Sequence, residues 1–570
     1  MGWTTEQQKA IELRNKNILV SAAAGSGKTA VLVERIKRLI IEENVSLDEM
    51  LVVTFTNAAA SEMKEKISKA INKAIADDPN NSKHLRKQIN ILGRANICTF
   101  HAFSLEVIRK YFYIIDIEPN FNICDETEQS IIQGEALDEL IENLFETEFE
   151  NFSEFLNCYS SSKNESAFRE IVSNIYKTLQ SLPEPWDWLN KKIEELNQTP
   201  KEFENGKIMD FVFEYAINQL KSLIFILENV INQIKSDKLE IAKLAILGIK
   251  DYVDTLLTAA QNKKTSALKE CMENLELPKV IKPKKIILSD EDLKCFTLMQ
   301  NTVKQAKSII KNLDLMIFSQ SQEEHAQDLN WTYSKMKYLQ EILKKYDALF
   351  KAKKTEKNLI DFNDIEHYAL EILKDDAAAK TFRDKFKYIF VDEYQDSNLI
   401  QEALITKIKR ENNLFMVGDI KQSIYKFRLA EPEIFKKKYN LFANCSDGTS
   451  EKIDLNKNFR SKSKILGSIN GIFGEIMEDY DDAAALYEGL NYSGDYNYSP
   501  EFSVILTSPS ESDVADDEVD NEIKDMKNSE KEALLVATKI KKLVGFLMIF
   551  TVVVIFLIMK EGSELIFNKK

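Results

Sequence analysis

A lysine and a hydroxyl residue follow a short glycine-containing loop near the start of the chain, an order typical of a phosphate-binding loop. In such loops, backbone N–H groups and the start of the next helix hold the β- and γ-phosphates, a lysine neutralises them and a hydroxyl binds Mg²⁺. Lys28 and Thr29 are suited to the last two roles. The loop residues expected around a nucleotide are Ala22, which replaces the usual first glycine, and Ala23, Ala24, Gly25, Ser26 and Gly27.

The residues around this loop predict the strand–loop–helix unit that a phosphate-binding loop requires. Residues 17–20 form a short apolar run before the loop. After it, Leu32, Ile36, Leu39 and Ile40 recur at the spacing of one helix face. The loop therefore lies in the expected structural context.

Two adjacent carboxylates follow a second apolar run. Residues 387–391 are predicted to form a strand with Asp392 and Glu393 at its carboxyl end, where open α/β sheets place their chemistry. Asp392 can hold Mg²⁺, and Glu393 can reach a different group and accept a proton from attacking water. The alternative interpretation is an exposed strand end with acidic residues. Together with the loop, these carboxylates predict a site that hydrolyses a nucleoside triphosphate.

Further apolar runs predict the rest of a parallel sheet in an α/β P-loop fold. After the first of these runs, Asn57 can cap a helix. Between about residues 113 and 354 strand signals vanish and long helical patterns take over, so we expect a large helical insertion and more helix than strand overall. The additional strand candidates are residues 50–55, 97–100, 414–417 and 453–455.

The composition is that of a large globular protein. With 570 residues, 44% of them hydrophobic, the chain can bury several cores and form three or four domains. Its six cysteines lack a Cys-x-x-Cys pair, which argues against zinc or iron–sulfur sites and fits reduced thiols. The formal net charge of -15 still allows a local basic groove for nucleic acid. No signal peptide opens the chain, so we expect a cytoplasmic protein.

Seven segments occur in a characteristic order: 3–7 (WTTEQ), 22–29 (AAAGSGKT), 53–63 (VTFTNAAASEM), 99–103 (TFHAF), 391–396 (VDEYQD), 417–428 (VGDIKQSIYKFR) and 455–461 (LNKNFRS). They resemble the successive motifs of UvrD-like superfamily 1 DNA helicases. Within that group, three further segments resemble AddA, the helicase/nuclease subunits of AddAB recombination-repair complexes. These segments are 105–111 (LEVIRKY), 361–370 (DFNDIEHYAL) and 427–433 (FRLAEPE). The resemblance covers roughly residues 3–540.

The resemblance implies ATP and Mg²⁺ as cofactors and assigns roles to individual residues. Gln7 would hydrogen-bond the adenine edge, and Gln422 would sense the γ-phosphate and couple it to DNA. Arg460 resembles the arginine finger that stabilises charge on the transferring phosphoryl group. Lys28 would hold the β- and γ-phosphates, Thr29 and Asp392 would hold Mg²⁺, Glu393 would activate water, and Arg428 would join the ATP-binding residues.

The resemblance also implies a grip on single-stranded DNA. Phe55, Tyr425 and Phe427 match positions that stack on bases, and stacking is independent of sequence because every base has a π-face. Ordinary core packing is the alternative interpretation of these aromatic residues. Asn57 and His101 are further candidate DNA contacts, although structural hydrogen bonding is an equal alternative for His101.

Motors of this family close a cleft between two RecA-like subdomains when ATP binds, and they move 3′ to 5′ along one strand. The implied organisation assigns residues 1–112 and 355–450 to the first RecA-like subdomain, 1A. Residues 113–354 would form the helical subdomain 1B. Residues 451–540, with an acidic loop at 511–530, would begin an incomplete second subdomain, 2A, and residues 541–570 an aberrant apolar tail.

An AddA-like protein would continue through the rest of its second subdomain to a nuclease domain, so we interpret the chain as truncated. Residues 543–559 are almost entirely apolar but marginal in length for a bilayer. We favour a truncated or frame-shifted product over a membrane anchor. The expected function is an ATP-dependent 3′–5′ helicase subunit for double-strand-break repair, and the expected partners are DNA and an AddB-like nuclease subunit. The alternative is a non-catalytic module that binds ATP and single-stranded DNA, with attachment to a membrane through the apolar tail as one form of it.

Overall fold

The computed structural model describes residues 2–79, 82–159, 165–263, 265–273, 277–282, 287–477, 480–490, 501, 503, 505 and 527–544. The chain divides into two compact units, Met1–Leu455 and Asn456–Lys570. The strands of the described residues are β1 (Asn17–Ala22), β2 (Met50–Thr54), β3 (Asn96–Thr99), β4 (Asn122–Ile123), β5 (Leu359–Ile360), β6 (Tyr388–Val391), β7 (Leu414–Gly418), β8 (Ser450–Leu455), β9 (Lys457–Asn458) and β10 (Tyr487–Glu488).

The α-helices of the same residues fall into three groups along the chain. The first part of the sheet contains α1 (Thr5–Glu12), α2 (Lys28–Ile41), α3 (Asn57–Asp77), α4 (Lys83–Leu92) and α5 (Phe100–Tyr111). The insertion contains α6 (Glu126–Thr147), α7 (Phe149–Tyr159), α8 (Glu165–Leu179), α9 (Pro185–Glu194), α10 (Pro200–Glu204), α11 (Lys207–Gln233), α12 (Glu240–Gln261), α13 (Thr265–Glu273), α14 (Asp290–Phe318) and α15 (Gln322–Glu356). The remaining helices are α16 (Phe362–Ile372), α17 (Asp376–Lys385), α18 (Leu399–Ile408), α19 (Pro432–Ala443), α20 (Ser463–Ile476) and α21 (Asn528–Val544).

Six strands form a parallel sheet in the order β3-β2-β6-β7-β1-β8. The register aligns Val20 of β1 with Val417 of β7, and Val53 of β2 with Val391 of β6. All four side chains are fully buried, because helices cover both faces of a parallel sheet. The α/β fold class with its helical insertion is therefore confirmed. All carboxyl ends of these strands meet at one edge of the sheet.

The first unit extends further along the chain than the expected boundary at residue 450. Strand β8 pairs with β1 over the full length of both strands, from Asn17 opposite Ser450 to Ala22 opposite Leu455. The backbone N–H of Ala23 then donates to the carbonyl of Leu455 over 3.0 Å. Residues 451–455 thus complete the first sheet rather than begin the second subdomain.

Helix α3 begins one residue earlier than its expected cap. Thr56 is the N-cap, with an extended backbone and a side-chain hydroxyl that accepts from the Ala59 N–H over 3.1 Å. Asn57 is instead the first helical residue and is exposed, so its expected capping role is wrong. A threonine at this position supplies the same kind of acceptor. The cap places Phe55 between the end of β2 and the start of α3.

The helical insertion contains two separate hydrophobic cores. The first helical core joins α6, α7 and α8 to the second half of α15, including Tyr346 and Phe350. The second helical core is built from α11, α12, α13 and α14. Helix α15 also reaches the second core, because Leu329 packs against it and His325 stacks on Phe203 with ring centroids 5.2 Å apart. One 35-residue helix therefore links both cores.

A buried ion cluster joins the end of α15 to the start of α16. Lys354 Nζ lies 2.8 Å from Asp361 Oδ2 and 2.5 Å from Asp364 Oδ2, and all three side chains are almost fully buried. The Asp361 carboxylate also caps α16 by accepting from the N–H groups of Asn363 and Asp364. Burial, followed by repulsion from Asp361, raises the pKa of Asp364 to about 6. This cluster fixes the insertion to the sheet domain.

The second unit is described in part. Strands β9 and β10 pair in parallel, and α20 lies between them in sequence. Residues 528–530 belong to helix α21, which corrects the end of the expected acidic loop; residues 511–526 lie outside the described residues, as do 545–559 of the apolar run. None of the described helices has the length and apolarity needed to cross a membrane.

Candidate nucleotide and DNA site

The phosphate-binding loop connects β1 to α2 at the carboxyl edge of the sheet. Gly25 and Gly27 have φ angles of 70° and 86°, in the left-handed region that glycine adopts without a steric penalty. The N–H of Ser26 donates to the carbonyl of Ala23 over 3.1 Å, which closes the turn. Helix α2 then begins at Lys28 with Thr29 as its second residue. The backbone thus adopts the strand–loop–helix geometry of an anion site.

Gln7 is tied to this loop from the neighbouring helix α1. Its Nε2 donates to the carbonyl of Ser26 over 2.9 Å, and its Oε1 accepts from the Thr4 N–H over 3.0 Å. Gln7 is only 6% exposed. The side chain expected to meet adenine therefore also braces the phosphate loop, a contact that its spacing in the sequence did not predict.

Lys28 is held between the ends of two other strands. Its Nζ donates to Glu393 Oε2 over 2.9 Å and to Gln422 Oε1 over 3.2 Å. Glu393 follows β6, and Gln422 lies beyond β7. Since β6, β7 and β1 are adjacent, the parallel sheet brings three distant segments of the chain to one point.

Two further residues close these contacts into a ring of hydrogen bonds, which we call the edge ring. Gln395 Nε2 donates to Glu393 Oε2 over 2.9 Å, and Gln395 Oε1 accepts from the Asp419 N–H over 2.9 Å. Gln422 Nε2 donates to Asp419 Oδ2 over 2.8 Å. The edge ring is formed by Lys28, Glu393, Gln395, Asp419 and Gln422.

The close contact between β7 and Gln395 requires a glycine. A Cβ atom at Gly418 would lie 2.5 Å from Gln395 Oε1 and 3.0 Å from the Phe435 ring. Any larger residue would push Gln395 out of the edge ring. Gly418 is therefore a packing requirement of the site.

Burial of carboxylates gives the edge a strong demand for positive charge. Burial, followed by repulsion from Glu393, raises the pKa of Asp392 to about 6. The same two causes raise the pKa of Asp396 to about 6, and its Oδ1 is buried without a hydrogen-bond partner. Neutral protonated carboxyls or a nearby cation would relieve this energy.

Glu393 has an unusual backbone. Its φ of 49° places a non-glycine residue in the left-handed region, at a typical cost of about 1–2 kcal/mol. The tight turn that follows holds this conformation, since the N–H of Asp396 donates to the Glu393 carbonyl over 2.9 Å. Strain of this kind concentrates at functional sites.

The candidate DNA-stacking residues form a row. The Phe55 and Tyr425 rings stack with centroids 4.7 Å apart and an interplanar angle of 29°. Tyr425 also contacts Phe427, with centroids 5.8 Å apart, and Phe427 is 70% exposed. A cleft of about 340 Å³ is lined by Phe55 and Tyr425 together with Thr29, Asp392, Glu393 and Gln422. One cleft thus brings together predicted nucleotide and DNA residues.

His101 belongs to a different contact group. It lies near the start of α5, after β3, and its ring meets Phe362 edge-on with centroids 5.7 Å apart. Its Nε2 lies 3.8 Å from Glu366 Oε1. Asn57 is exposed at the start of α3.

Two predicted arginines are not placed at the cleft by the described geometry. Arg460 belongs to the second unit, where its N–H donates to Asn458 Oδ1 over 2.8 Å. The backbone of Arg428 ends a short 3₁₀ turn, and its side chain lies outside the described residues. Their roles stay predictions.

Sequence patterns did not single out Gln395, Asp396 and Asp419. All three lie inside the motif segments at 391–396 and 417–428. The signal that could have identified them is their position directly after adjacent parallel strands, where polar side chains must meet.

Comparison with known proteins defines the class to which this fold and site correspond. The family model of the UvrD/REP helicase N-terminal domain matches residues 3–443, and the chain belongs to this family.

Three curated relatives are each named as the AddA subunit of an ATP-dependent helicase/nuclease. The protein from Alkaliphilus oremlandii (strain OhILAs) is 40% identical over 558 residues, and that from Alkaliphilus metalliredigens (strain QYMF) is 39% identical over 554. The protein from Bacillus cereus (strain AH187) is 37% identical over 572 residues. Each match covers 95% of this chain and 45% of the relative, so the chain spans less than half the length of these relatives.

Proposed function

We propose that this chain is the ATP-binding and single-stranded-DNA-binding part of an AddA-like 3′–5′ DNA helicase subunit. The observation that carries the proposal is the shared cleft, in which Lys28 and Glu393 of the edge ring lie beside the stacked pair Phe55 and Tyr425. A motor needs this proximity, because hydrolysis must change the grip on DNA.

The loop residues fit a nucleoside triphosphate. Left-handed Gly25 and Gly27 leave room for phosphate oxygens close to the backbone, and the buried hydroxyl of Ser26 has no hydrogen-bond partner. Lys28 supplies positive charge at the start of α2, where the helix dipole also favours an anion. Gln7 fixes the loop from α1 and lies where the resemblance expects the adenine.

The acidic residues fit Mg²⁺. Thr29 and Asp392 supply the hydroxyl and carboxylate oxygens that this ion prefers, and both line the cleft. The raised pKa of Asp392 indicates a site where a cation would be stabilising. A bound Mg²⁺ would neutralise phosphate charge.

Glu393 is the residue that we assign as proton acceptor. When a γ-phosphate attracts Lys28, the pair between Lys28 and Glu393 must open, because one ammonium cannot keep both contacts. Glu393 remains oriented by Gln395, whose amide donates to the same carboxylate oxygen. The carboxylate is then available to accept a proton from water.

DNA binding is assigned to the aromatic row. The exposed Phe427 ring offers a stacking face, and Phe55 and Tyr425 can separate to admit a base. Base–aromatic stacking typically contributes about 1–3 kcal/mol per base without sequence preference. The partners that we propose for the longer protein are duplex ends and an AddB-like nuclease subunit.

Steady-state ATP hydrolysis by the chain, with and without oligothymidylate, tests the proposal. We expect a fluorescent ATP analogue and oligothymidylate to bind, with DNA-stimulated turnover that Lys28→Ala removes. Lys37→Ala on the same helix is the matched control, because Lys37 pairs with Glu34 on the surface away from the loop. Absence of both nucleotide and DNA binding would refute the proposal.

The second candidate is a non-catalytic module that binds ATP and DNA. The observation that favours it is the span of the chain, 45% of its relatives' length, because the opposing wall of the ATP cleft would come from a second RecA-like subdomain. Binding of both ligands without turnover would identify this module. Unwinding of a duplex with a 3′ tail, but not of one with a 5′ tail, is expected from the longer protein.

A further inference from the structure

Glu366 is a buried carboxylate that lies between the DNA and ATP regions of the first unit. It is on the second turn of α16, and its side chain is 6% exposed. Neither the sequence motifs nor the edge ring gives it a role. Burying a carboxylate is costly unless its oxygens are hydrogen-bonded, so its contacts indicate what it holds in place.

The two oxygens of Glu366 bind the amides that start α18. Oε1 accepts from Gln401 Nε2 over 2.9 Å, and Oε2 accepts from Asn398 Nδ2 over 3.2 Å. Asn398 is itself the N-cap of α18, because its Oδ1 accepts from the Gln401 N–H over 2.8 Å. One carboxylate therefore orients both side chains of this helix cap.

This cap lies at the end of the hydrolytic segment. Asp392 and Glu393 follow β6, a tight turn continues through residues 394–396, and Asn398 comes two residues later. The turn is closed by the N–H of Ser397, which donates to the Tyr394 carbonyl over 3.2 Å. A displacement of Asn398 must therefore be transmitted to a short, tightly bonded segment that ends at Glu393.

The opposite side of Glu366 faces a candidate DNA contact. His101 Nε2 lies 3.8 Å from Glu366 Oε1, and the histidine side chain is 43% exposed. This separation is just beyond a hydrogen bond, so a movement of less than about 1 Å would create one. The oxygen involved is the one that already accepts from Gln401.

We propose that Glu366 is a positioning residue that links DNA contact at His101 to the hydrolytic segment 392–397 through Asn398 and Gln401. DNA that engages His101 changes the contact between this histidine and Glu366, and the hold of Glu366 on the α18 cap changes with it. Nucleotide affinity and DNA affinity then depend on each other, because coupling between two ligands is reciprocal. This inference rests on the proposed function.

The coupling ratio measures the link directly. We define it as the dissociation constant of a fluorescent, non-hydrolysable ATP analogue without oligothymidylate divided by that with saturating oligothymidylate. We expect a ratio that departs from unity by roughly fivefold or more for the unsubstituted chain. In Glu366→Gln the ratio should approach unity, while each ligand still binds on its own.

Two controls separate positioning from general damage. Glu371→Gln lies on the exposed face of the same helix, where Glu371 pairs with Lys374, and should leave the coupling ratio unchanged. Asn398→Ser keeps a good helix N-cap but cannot reach Glu366, so it should reduce the ratio as Glu366→Gln does. This second variant keeps the test decisive if Glu366→Gln fails to fold.

A double-mutant cycle tests the path through His101. If His101 and Glu366 act as one link, His101→Gln combined with Glu366→Gln should reduce coupling no further than either change alone. Additive effects would overturn the inference, as would a ratio in Glu366→Gln equal to that of the unsubstituted chain or a ratio of unity in the unsubstituted chain. If the chain binds neither ligand, the proposed function fails; if it binds both and Glu366→Gln keeps its coupling, this inference alone fails.

Discussion

Lys28 and Glu393, 365 positions apart in the chain, form an ion pair with 2.9 Å between Nζ and Oε2. The candidate phosphate-binding lysine thus holds the candidate general base. Any ligand that draws Lys28 away also changes the environment of Glu393, so nucleotide binding and activation of the base are mechanically connected.

Lys28→Ala should remove nucleotide binding. The phosphates would lose their point counter-ion, and removing one partner from a partly buried charge contact typically costs about 2–5 kcal/mol, or roughly thirtyfold and more in affinity. Titration with a fluorescent ATP analogue measures the loss, with Lys37→Ala as control. Unchanged affinity in Lys28→Ala would refute the assignment of the loop.

Glu393→Gln should keep nucleotide binding and lose turnover. The amide cannot accept a proton, and general-base catalysis typically contributes about 10²- to 10⁴-fold. Because the amide also no longer pairs with the Lys28 charge, nucleotide affinity should stay level or rise. Single-turnover hydrolysis in the longer protein measures the change. Glu62→Gln, which alters another carboxylate of the same cleft, is the control, and parental turnover in Glu393→Gln would identify a different base.

Phe55→Ala should weaken binding of single-stranded DNA by roughly 1–3 kcal/mol, the usual loss of one stacked base. Its ring also stacks on Tyr425, so the melting temperature must be measured beside affinity. Phe149→Ala removes an exposed phenyl ring in the insertion and should leave affinity unchanged. If Phe55→Ala lowers the melting temperature and leaves DNA affinity intact, core packing is the correct interpretation of this ring.

Asp392→Asn should stabilise the metal-free protein at neutral pH. The folded-state pKa of Asp392 is about 6, above its ordinary 3.8, so the folded state binds more protons between these values and stability falls as pH rises through them. Removing the ionisable group avoids up to about 3 kcal/mol at pH 7 and progressively less towards pH 4. Calorimetry in the presence of a chelator at several pH values measures the difference. A pH-independent difference between the two proteins would contradict this explanation.

Lys354→Met should destabilise the junction between the insertion and the sheet domain. It leaves Asp361 and Asp364 buried without their cation, and breaking a buried ion pair in this way typically costs about 3–5 kcal/mol. Lys351→Met, one turn earlier on α15, removes a half-exposed partner of Asp347 and should cost about 1 kcal/mol or less. Thermal unfolding compares the two variants, and equal losses would show that the buried cluster contributes nothing special.

The sheet could be predicted because its strands are short apolar runs that end in chemically distinctive residues. The loop at 22–29 and the carboxylates at 392 and 393 identify two strand ends directly. A parallel sheet then requires these ends to share one edge, which the order β6-β7-β1 bears out. Local pattern and global topology agree here, so little information beyond the chain's own sequence was needed.

The side-chain contacts at that edge were harder to predict. Gln395 reaches the Asp419 N–H only because β6 and β7 are adjacent and Gly418 leaves space, and neither condition can be derived from local spacing. The cap of α3 was misassigned because Thr56 and Asn57 both supply suitable acceptors, and the choice depends on which residue keeps an extended backbone. The division of the insertion into two cores likewise depends on tertiary packing of helices whose apolar patterns are similar.

Helix α15 makes the insertion a rigid lever. Its 35 residues extend over about 52 Å at 1.5 Å per residue. The Lys354 cluster fixes one end at the sheet domain, while His325 lies near the other end against the second helical core. A rotation of about 5° at the fixed end would carry the far end through roughly 4.5 Å, given that length. Small rearrangements beside α16 are therefore enlarged to a distance comparable with one nucleotide step.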